Sequence, residues 1–304
     1  MLEKAGGALA QGAPLRGTDP TQCLRTMRRV NGVKLHVVEA GPADGPLVIL
    51  LHGFPDFWWG WRRQIAPLAA QGFHVIAPDQ RGYNRSDKPP GIAAYHLDLL
   101  AADVVGLAAT YNRSSFCLAG HDWGGLVAWW TAMRHPTRIH RLAILNAPHP
   151  EVWRYLTRRR LAQAMRSYYI AFFQLPWLPE RLLRAGNFAL LRRALCHSGR
   201  PGVFTHADIP RYVQAWTQSG ALTAMLNYYR ALRYKPRGVS AQVHSPTLVI
   251  WGTQDQFLET ELARASLALC DQGQALFLDR ATHWVQLEEV AVVNDALSRF
   301  FVTG

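Results

Sequence analysis

Cysteine is scarce in this chain, and long hydrophobic runs are missing. The four cysteines among 304 residues are scattered and form no Cys-x-x-Cys pair. This argues against a disulfide framework and a cysteine-based metal site, and it favours reduced thiols in a cytoplasmic protein. No segment approaches the roughly 18 continuous apolar residues of a membrane span. Residues 1–20 are rich in Gly, Ala and Pro without a signal-like apolar run, so we expect a flexible tail there.

Acidic residues are also scarce, and the shortage is local. The chain carries 33 Lys+Arg and 21 Asp+Glu, a formal net charge of +12. Residues 151–240 contain 15 of the basic and 3 of the acidic residues, so the remaining residues balance at 18 of each sign. The whole positive excess therefore lies in one segment.

Short apolar strands alternate with helical segments along most of the chain. A hairpin with an Asn31-Gly32 turn is predicted over residues 27–40. Further strands are predicted at 47–51, 73–77, 116–119, 141–145, 247–251 and 275–278, and helices at 59–70, 97–109, 126–133, 260–269 and 289–300. This alternation predicts an α/β fold with a mostly parallel sheet flanked by helices. In such sheets the active site lies beyond the carboxyl ends of the strands.

The interval from residue 148 to 242 breaks the alternation. It is helical in pattern, basic and rich in aromatic residues, and it lies between two predicted strands. We therefore expect an inserted all-helical cap, or lid, over the site. The predicted domains are a tail of residues 1–20, an α/β core of residues 21–147 and 243–304, and a cap of residues 148–242.

The sequence GHDWGG at residues 120–125 has the spacing of a nucleophile elbow, with Asp122 where Ser is usual. A strand that turns directly into a helix leaves no room for a Cβ at Gly120 or Gly124, and it holds the residue between them in a strained conformation. The N-terminus of the following helix favours a negative charge at Asp122. Asp122 is therefore the predicted nucleophile.

An acid and a histidine follow in the chain order that this class of site requires. Asp255 and His283 each follow a predicted strand, so both should lie at the same edge of the sheet as Asp122. We predict that His283 is the general base and that Asp255 orients it. Asp271 and Asp279 are the alternatives for the acid.

The sequence HGFP at residues 52–55 closes an apolar strand at the same edge. In elbow-type sites the oxyanion hole combines the N–H of the residue after the nucleophile with one from the loop after an earlier strand. The corresponding residues are Trp123 and Phe54.

Together these motifs resemble the epoxide hydrolase group of the α/β-hydrolases, over nearly all of the chain. The matching sequences are HGFPDFWWGWR at 52–62, DQRGY at 79–83, GHDWGG at 120–125 and the pair His283-Trp284. Asn84 departs from the pattern, because the group usually has Gly there. Since Asn tolerates a left-handed backbone, we expect little consequence.

The resemblance also implies two cap tyrosines that point at the nucleophile. They fall on Tyr169 and Tyr229. Each has an adjacent tyrosine, Tyr168 and Tyr228, which is the alternative for the role. Aromatic packing inside the cap is the other interpretation of both positions.

A carboxylate suits displacement at a saturated carbon, because it needs no deprotonation and forms an ester that water can cleave. The predicted function is hydrolysis of a lipophilic epoxide to a vicinal diol. Asp122 would open the oxirane while Tyr169 and Tyr229 donate to its oxygen, and water activated by His283 would then cleave the ester. The expected partners are the epoxide and water, and no metal or organic cofactor is needed.

Two other functions fit the same scaffold. Haloalkane dehalogenases share the Asp nucleophile and the Trp after it, but they commonly use an Asn where this chain has Phe54; cap Trp177 or Trp216 could replace that donor. Dehalogenation of fluoroacetate-like substrates is less favoured, because Trp123 stands in place of an Arg. A non-catalytic ligand-binding protein is the alternative from another class.

The basic cap has two interpretations. Arg158, Arg159 and Arg160, with Trp153 and Tyr155 nearby, form either a solvated charged face or a surface for peripheral contact with an anionic membrane. Nucleic acid is not an expected partner, because the charge lies on an aromatic-rich cap beside a complete hydrolase site.

Overall fold

The structure is a computed structural model that describes residues 23–234 and 238–302. An eight-stranded sheet forms its centre. The strands are β1 (Leu24–Val30), β2 (Val33–Ala40), β3 (Leu47–Leu51), β4 (His74–Pro78), β5 (Phe116–His121), β6 (Ile139–Leu145), β7 (Thr247–Gly252) and β8 (Gly273–Leu278). Their order is β1-β2-β4-β3-β5-β6-β7-β8, with β2 antiparallel to both its neighbours and all other pairs parallel. The predicted mostly parallel sheet is confirmed, and the predicted tail lies outside the described residues.

Helices cover the sheet and extend beyond it. They are α1 (Ile65–Ala70), α2 (Leu97–Ala109), α3 (Trp123–Arg134), α4 (Pro150–Arg159), α5 (Leu161–Arg166), α6 (Tyr168–Phe173), α7 (Leu178–Ser198), α8 (Ile209–Trp216), α9 (Ala221–Ala231), α10 (Thr260–Leu267), α11 (Val285–Glu288) and α12 (Val290–Val302). Helices α4–α9 all lie between β6 and β7, and we call them the cap. The domain boundaries at 148 and 242 remain a prediction. Across the described ranges, no helix combines the length and apolar character that crossing a membrane requires.

The predicted helix over residues 59–70 is wrong. A 3-10 helix, Trp58–Trp61, and the short α1 occupy this segment instead. All three tryptophans of the 3-10 helix are buried, and Gly60 is a poor helix former. Gly60 also lies against Asp56, whose carboxylate oxygen would be 1.7 Å from a Cβ at that position. The other predicted elements lie within three residues of the observed bounds.

The parallel strands end side by side at one edge of the sheet. The last paired positions across the sheet are Leu51 with Gly120, His121 with Leu145, Leu145 with Ile250, and Gly252 with Leu278. Strands β3, β4, β5 and β7 are buried along their whole length. Because the sheet core is rigid, this register fixes where the residues that follow β3, β5, β6, β7 and β8 emerge.

Close backbone packing fixes the turn from β5 into α3. A Cβ at Gly120 would lie 2.3 Å from the carbonyl oxygen of Gly124, and a Cβ at Gly124 would lie 2.2 Å from the carbonyl oxygen of Leu51. These contacts are to backbone atoms, which cannot rotate away as a side chain can. The predicted need for glycine on both sides of Asp122 is confirmed.

We expect Gly124→Ala to lower the free energy of unfolding by about 2 kcal/mol or more, because the added methyl group overlaps the β3 backbone. The measurement is urea unfolding followed by tryptophan fluorescence. Gly199→Ala is the matched control, since its nearest neighbour is a side-chain atom of Phe204 at 3.2 Å. Equal stability of the two variants would contradict the proposed constraint.

Candidate active site

Asp122 occupies the turn between β5 and α3 in a strained conformation, with φ 52° and ψ −121°. Its backbone is held on both sides, because its N–H donates to the Leu145 carbonyl at 3.3 Å and its carbonyl accepts from the Leu126 N–H at 3.0 Å. A Cβ at Gly53 would lie 2.3 Å from Asp122 Oδ1. The loop after β3 therefore packs directly on the Asp122 carboxylate, and only glycine fits at that contact.

The two oxygens of the Asp122 carboxylate have different environments. The Phe54 N–H donates to Oδ1 at 2.7 Å, whereas Oδ2 lies 3.6 Å from His283 Nε2. Burial alone would raise the pKa of Asp122, but the hydrogen bond and charge of His283 and the hydrogen bond from the Phe54 N–H outweigh it and lower the pKa. Asp122 is therefore ionised at neutral pH, which its predicted role as a nucleophile requires.

The two predicted oxyanion-hole donors are placed differently. Phe54 makes the contact described above. In the described part of the chain, the Trp123 N–H makes no hydrogen bond with the Asp122 carboxylate; Trp123 is the first residue of α3, where an N–H lacks an intrahelical acceptor. This leaves the Trp123 N–H available for an oxygen that develops beside Asp122.

His283 lies between two carboxylates. Its Nδ1 is 2.7 Å from Asp255 Oδ2, and its Nε2 faces Asp122. Asp271 instead contacts His244, and Asp279 lies on an exposed turn. Of the three acids that the sequence offered, the structure therefore brings Asp255 to the histidine.

Burial lowers the pKa of His283, but the charges and hydrogen bonds of Asp255 and Asp122 outweigh it and raise the pKa to about 10. The imidazole is therefore protonated in the resting state at neutral pH. The folded-state pKa lies above the ordinary value of 6.5, so the contribution of His283 to the free energy of unfolding is fully present below about pH 6.5. The contribution is lost as the pH rises through about 10.

Asn146, at the end of β6, was not predicted as a site residue. Its backbone has φ 41° and its side chain is completely buried. Asn146 Nδ2 donates to Asp255 Oδ2 at 2.7 Å, and its Oδ1 accepts from the Gly252 N–H at 2.9 Å. Asn146 therefore fixes the oxygen of Asp255 that faces His283. An Asn that closes an apolar strand at the site edge was the available sequence signal.

His121 holds the backbone on the other side of His283. Its Nε2 is 2.8 Å from the His283 carbonyl oxygen, and its ring packs against those of His283 and Trp284. Burial and the nearby positive charge of His283 lower the pKa of His121 to about 3. A neutral His121 can thus donate this hydrogen bond without adding charge to the site.

Tyr169 and Tyr229 lie beside Asp122 and belong to the cap. Both line the same two cavities as Asp122, and their rings are 5.9 Å apart between centroids. Burial is the main cause that raises the pKa of both phenols, and the Asp122 charge adds to it. Both hydroxyls therefore keep their protons and can donate hydrogen bonds.

The adjacent tyrosines are placed elsewhere. The Tyr228 hydroxyl is buried and donates to the Arg81 carbonyl at 2.7 Å. Tyr168 is 74% exposed and lines only the larger of the two cavities. Tyr169 and Tyr229 are therefore the two tyrosines that line both cavities with Asp122.

Two cavities meet at Asp122. The smaller is about 60 Å³ and is lined by Trp153, Leu232 and Leu258 among others. The larger is about 660 Å³ and contains His283 together with Phe172, Leu183 and Leu191. Among the residues that the structure describes, no cluster of three His, Cys, Asp or Glu side chains could hold a metal ion.

The sequence model of the alpha/beta hydrolase fold family matches residues 46–290, so the chain belongs to the α/β-hydrolases. It is 47% identical over 274 residues to AB hydrolase superfamily protein YfhM of Bacillus subtilis, covering 89% of this chain and 95% of that protein. It is 35% identical over 276 residues to Epoxide hydrolase 4 of Homo sapiens, covering 89% of this chain and 76% of that protein.

Solved structures give the same result. An epoxide hydrolase from Bacillus megaterium, in complex with an inhibitor, superposes with a TM-score of 0.84 at 32% identity, covering 90% of this chain and 99% of that chain. A point mutant of that enzyme has been solved with its product, a naphthyloxy-propane-1,2-diol. Within the α/β-hydrolases, the chain therefore belongs to the epoxide hydrolase group, as its motifs predicted.

We expect Asp122→Asn to lower the pKa of His283 by about 1 to 3, because one of its two neighbouring carboxylates is removed. The measurement is an NMR titration of the His283 ring. Asp271→Asn is the control, since Asp271 contacts the exposed His244 instead. The same His283 pKa in wild type and Asp122→Asn would show that Asp122 is not coupled to it.

Proposed function

We propose that this protein hydrolyses a lipophilic epoxide to a vicinal diol through an ester on Asp122. One observation carries the proposal: an ionised carboxylate, a histidine held by a second carboxylate, and two protonated cap phenols share one cavity. Ring opening needs a nucleophile and a proton donor on opposite sides of the oxirane. Asp122 on the core and Tyr169 with Tyr229 on the cap are suited to these roles.

In the first step, Asp122 Oδ2 attacks an oxirane carbon while Oδ1 stays on the Phe54 N–H. The new carbon–oxygen bond forms as the ring carbon–oxygen bond breaks, and the alkoxide takes a proton from Tyr169 or Tyr229. The product is a hydroxyalkyl ester of Asp122 and a tyrosinate.

The second step depends on the loss of the negative charge of Asp122, because the ester is neutral. His283 then faces only one carboxylate, so its pKa falls and it releases a proton that restores the tyrosine. The neutral imidazole takes a proton from water, and the hydroxide attacks the ester carbonyl. The N–H groups of Phe54 and Trp123 stabilise the oxyanion, the diol leaves, and both Asp122 and the imidazolium are regenerated.

The apolar lining supports a lipophilic substrate. Aromatic and aliphatic side chains dominate both cavities, and the larger one has room for a group well beyond the oxirane itself. The diol bound to the Bacillus megaterium mutant carries a naphthyl group, which agrees with an apolar substrate for this chain as well.

The structure gives less support to dehalogenation. The Trp216 indole, an alternative halide donor, is buried and donates to the Pro55 carbonyl at 2.6 Å. Trp177, the other alternative, is 66% exposed. With Phe54 in the position of the usual Asn, neither an Asn amide nor the indole of Trp177 or Trp216 lines the cavities at Asp122 as a halide donor.

A cytoplasmic location is part of the proposal. Cys117 and Cys270 are free thiols, and burial raises their pKa values to about 12 and about 11. Such thiols are unreactive and typical of reducing compartments.

We expect His283→Gln to trap the ester, because the first step needs no base and the second does. After incubation with a lipophilic epoxide, intact-protein mass spectrometry should show an adduct of the whole epoxide mass. Mass spectrometry of the digested protein should place the adduct on the peptide that contains Asp122. A bromoalkane should give none. The double variant Asp122→Ala with His283→Gln is the control and should stay unmodified.

Two other results would contradict the proposed epoxide hydrolysis. An adduct of the alkyl group alone, with bromide released, would make the protein a dehalogenase. Tight epoxide binding with neither adduct nor turnover, across a broad panel of both substrate types, would favour a binding protein.

We expect Asn146→Gly to slow ester hydrolysis by about 10-fold or more, because it removes one hydrogen bond to a buried charged group. Glycine accepts the positive φ at this position, so the backbone is preserved. Rapid-quench mass spectrometry should show ester accumulation with little change in its rate of formation. Asn112→Gly, at an exposed position with φ 57°, is the matched control. Loss of ester formation instead would contradict a role through Asp255.

A further inference from the structure

Exposed apolar side chains are concentrated on one part of the cap. Of the 14 large hydrophobic residues that are exposed in the described structure, eight lie between residues 155 and 190. They are Tyr155, Leu161, Met165, Tyr168, Leu175, Trp177, Leu182 and Leu190. Exposed apolar residues that lie together on a surface mark a binding site, whereas single ones do not.

Three of these residues form a stripe along α5 and the start of α6. Leu161, Met165 and Tyr168 follow the spacing of one helix face and are 76%, 66% and 74% exposed. Tyr168 lines the 660 Å³ cavity, as does the exposed Leu190 of α7. The stripe therefore runs to the mouth of the cavity that contains Asp122. We call these four residues the apolar stripe.

Arginines surround the apolar stripe without acidic partners. Arg158 and Arg159 precede it on α4, and Arg166 and Arg193 line the same cavity mouth. The three acidic residues of segment 151–240 are already paired: Glu151 with Arg154, Glu180 with Arg230 and Asp208 with Arg62. Among the described residues, none of the four arginines around the stripe lies within ion-pair distance of a carboxylate.

We propose that the apolar stripe and its flanking arginines dock the cap on an anionic lipid bilayer. The apolar side chains would enter the boundary between headgroups and acyl chains, and the guanidinium groups of Arg158, Arg159 and Arg193 would bind lipid phosphates, whereas Arg166 donates to the Asp255 carbonyl. The cavity mouth would then open onto the lipid, where a lipophilic epoxide is concentrated. Only this last consequence depends on the proposed function.

The charge pattern favours a bilayer over a second copy of the chain. In a symmetric contact, the same patch meets itself, so arginines would face arginines with no carboxylate between them. An anionic bilayer supplies the missing negative charge and also covers the apolar stripe. A contact made through charge alone would not account for the eight exposed apolar side chains.

The test is co-sedimentation of the full-length protein with vesicles of phosphatidylglycerol and phosphatidylcholine, compared with phosphatidylcholine alone. Wild type should bind the anionic vesicles about tenfold more strongly, and added salt should weaken this binding. Arg158→Gln with Arg159→Gln should lower binding about tenfold. Leu161→Ser with Met165→Ser should lower it comparably at every salt concentration.

Matched controls come from outside the cap. Arg29→Gln with Arg85→Gln removes two exposed arginines, and Leu99→Ser with Val292→Ser removes two exposed apolar side chains, 41% and 42% exposed. Both control pairs should bind like wild type. A loss of binding in the controls equal to that in the cap variants would overturn the assignment of the surface.

Two further outcomes overturn the docking proposal. One is equal recovery of wild type with both kinds of vesicle. The other is self-association in sedimentation velocity that Leu161→Ser with Met165→Ser abolishes, without vesicle binding, which would make the surface an interface between copies. Hydrolysis of a panel of aryl and alkyl epoxides, assayed without vesicles, separates the two proposals. Turnover without vesicle binding overturns only docking, and vesicle binding without turnover of any epoxide overturns only the epoxide hydrolase function.

Discussion

Two carboxylates share one buried imidazole at the carboxyl edge of the sheet, and the rest of the site depends on this arrangement. Buried charges are costly unless they are paired and hydrogen-bonded. His283 contacts one oxygen of Asp122 and one of Asp255, while the Phe54 N–H satisfies the other oxygen of Asp122 and the N–H groups of Phe257 and Leu258 satisfy the other oxygen of Asp255. Esterification of Asp122 would remove one of these two negative charges and so lower the pKa of His283. His283 would then release its proton only after the ester has formed.

The sheet makes this arrangement possible through backbone geometry. The parallel register brings the loops after β3, β5, β6 and β7 together, and glycine allows them to touch. The close approach of Gly53 to the Asp122 carboxylate shows how little space is available, since one added methyl group would displace the Asp122 side chain. Rigid packing of this kind is how a fold holds reacting groups within hydrogen-bonding distance.

The cap combines two surfaces with different chemistry. Its inner side presents Tyr169 and Tyr229 to Asp122, and its outer side exposes an apolar stripe among arginines without acidic partners. The cavity mouth connects the two sides, because Tyr168 and Leu190 belong to both the cavity lining and the exposed surface. The residues proposed for docking and those proposed for chemistry therefore lie within about two turns of helix, from Leu161 to Tyr169.

Sequence alone determined the class of fold and the positions of Asp122 and His283, because strand alternation and chain order restrict which loops meet. It did not determine the break in the helix at Gly60, since burial of three tryptophans decided it. Tertiary structure also decided between Tyr168 and Tyr169, and between Asp255 and its two rivals. Asn146 acts on a residue 109 positions away, and such contacts exist only once the sheet has aligned distant strand ends.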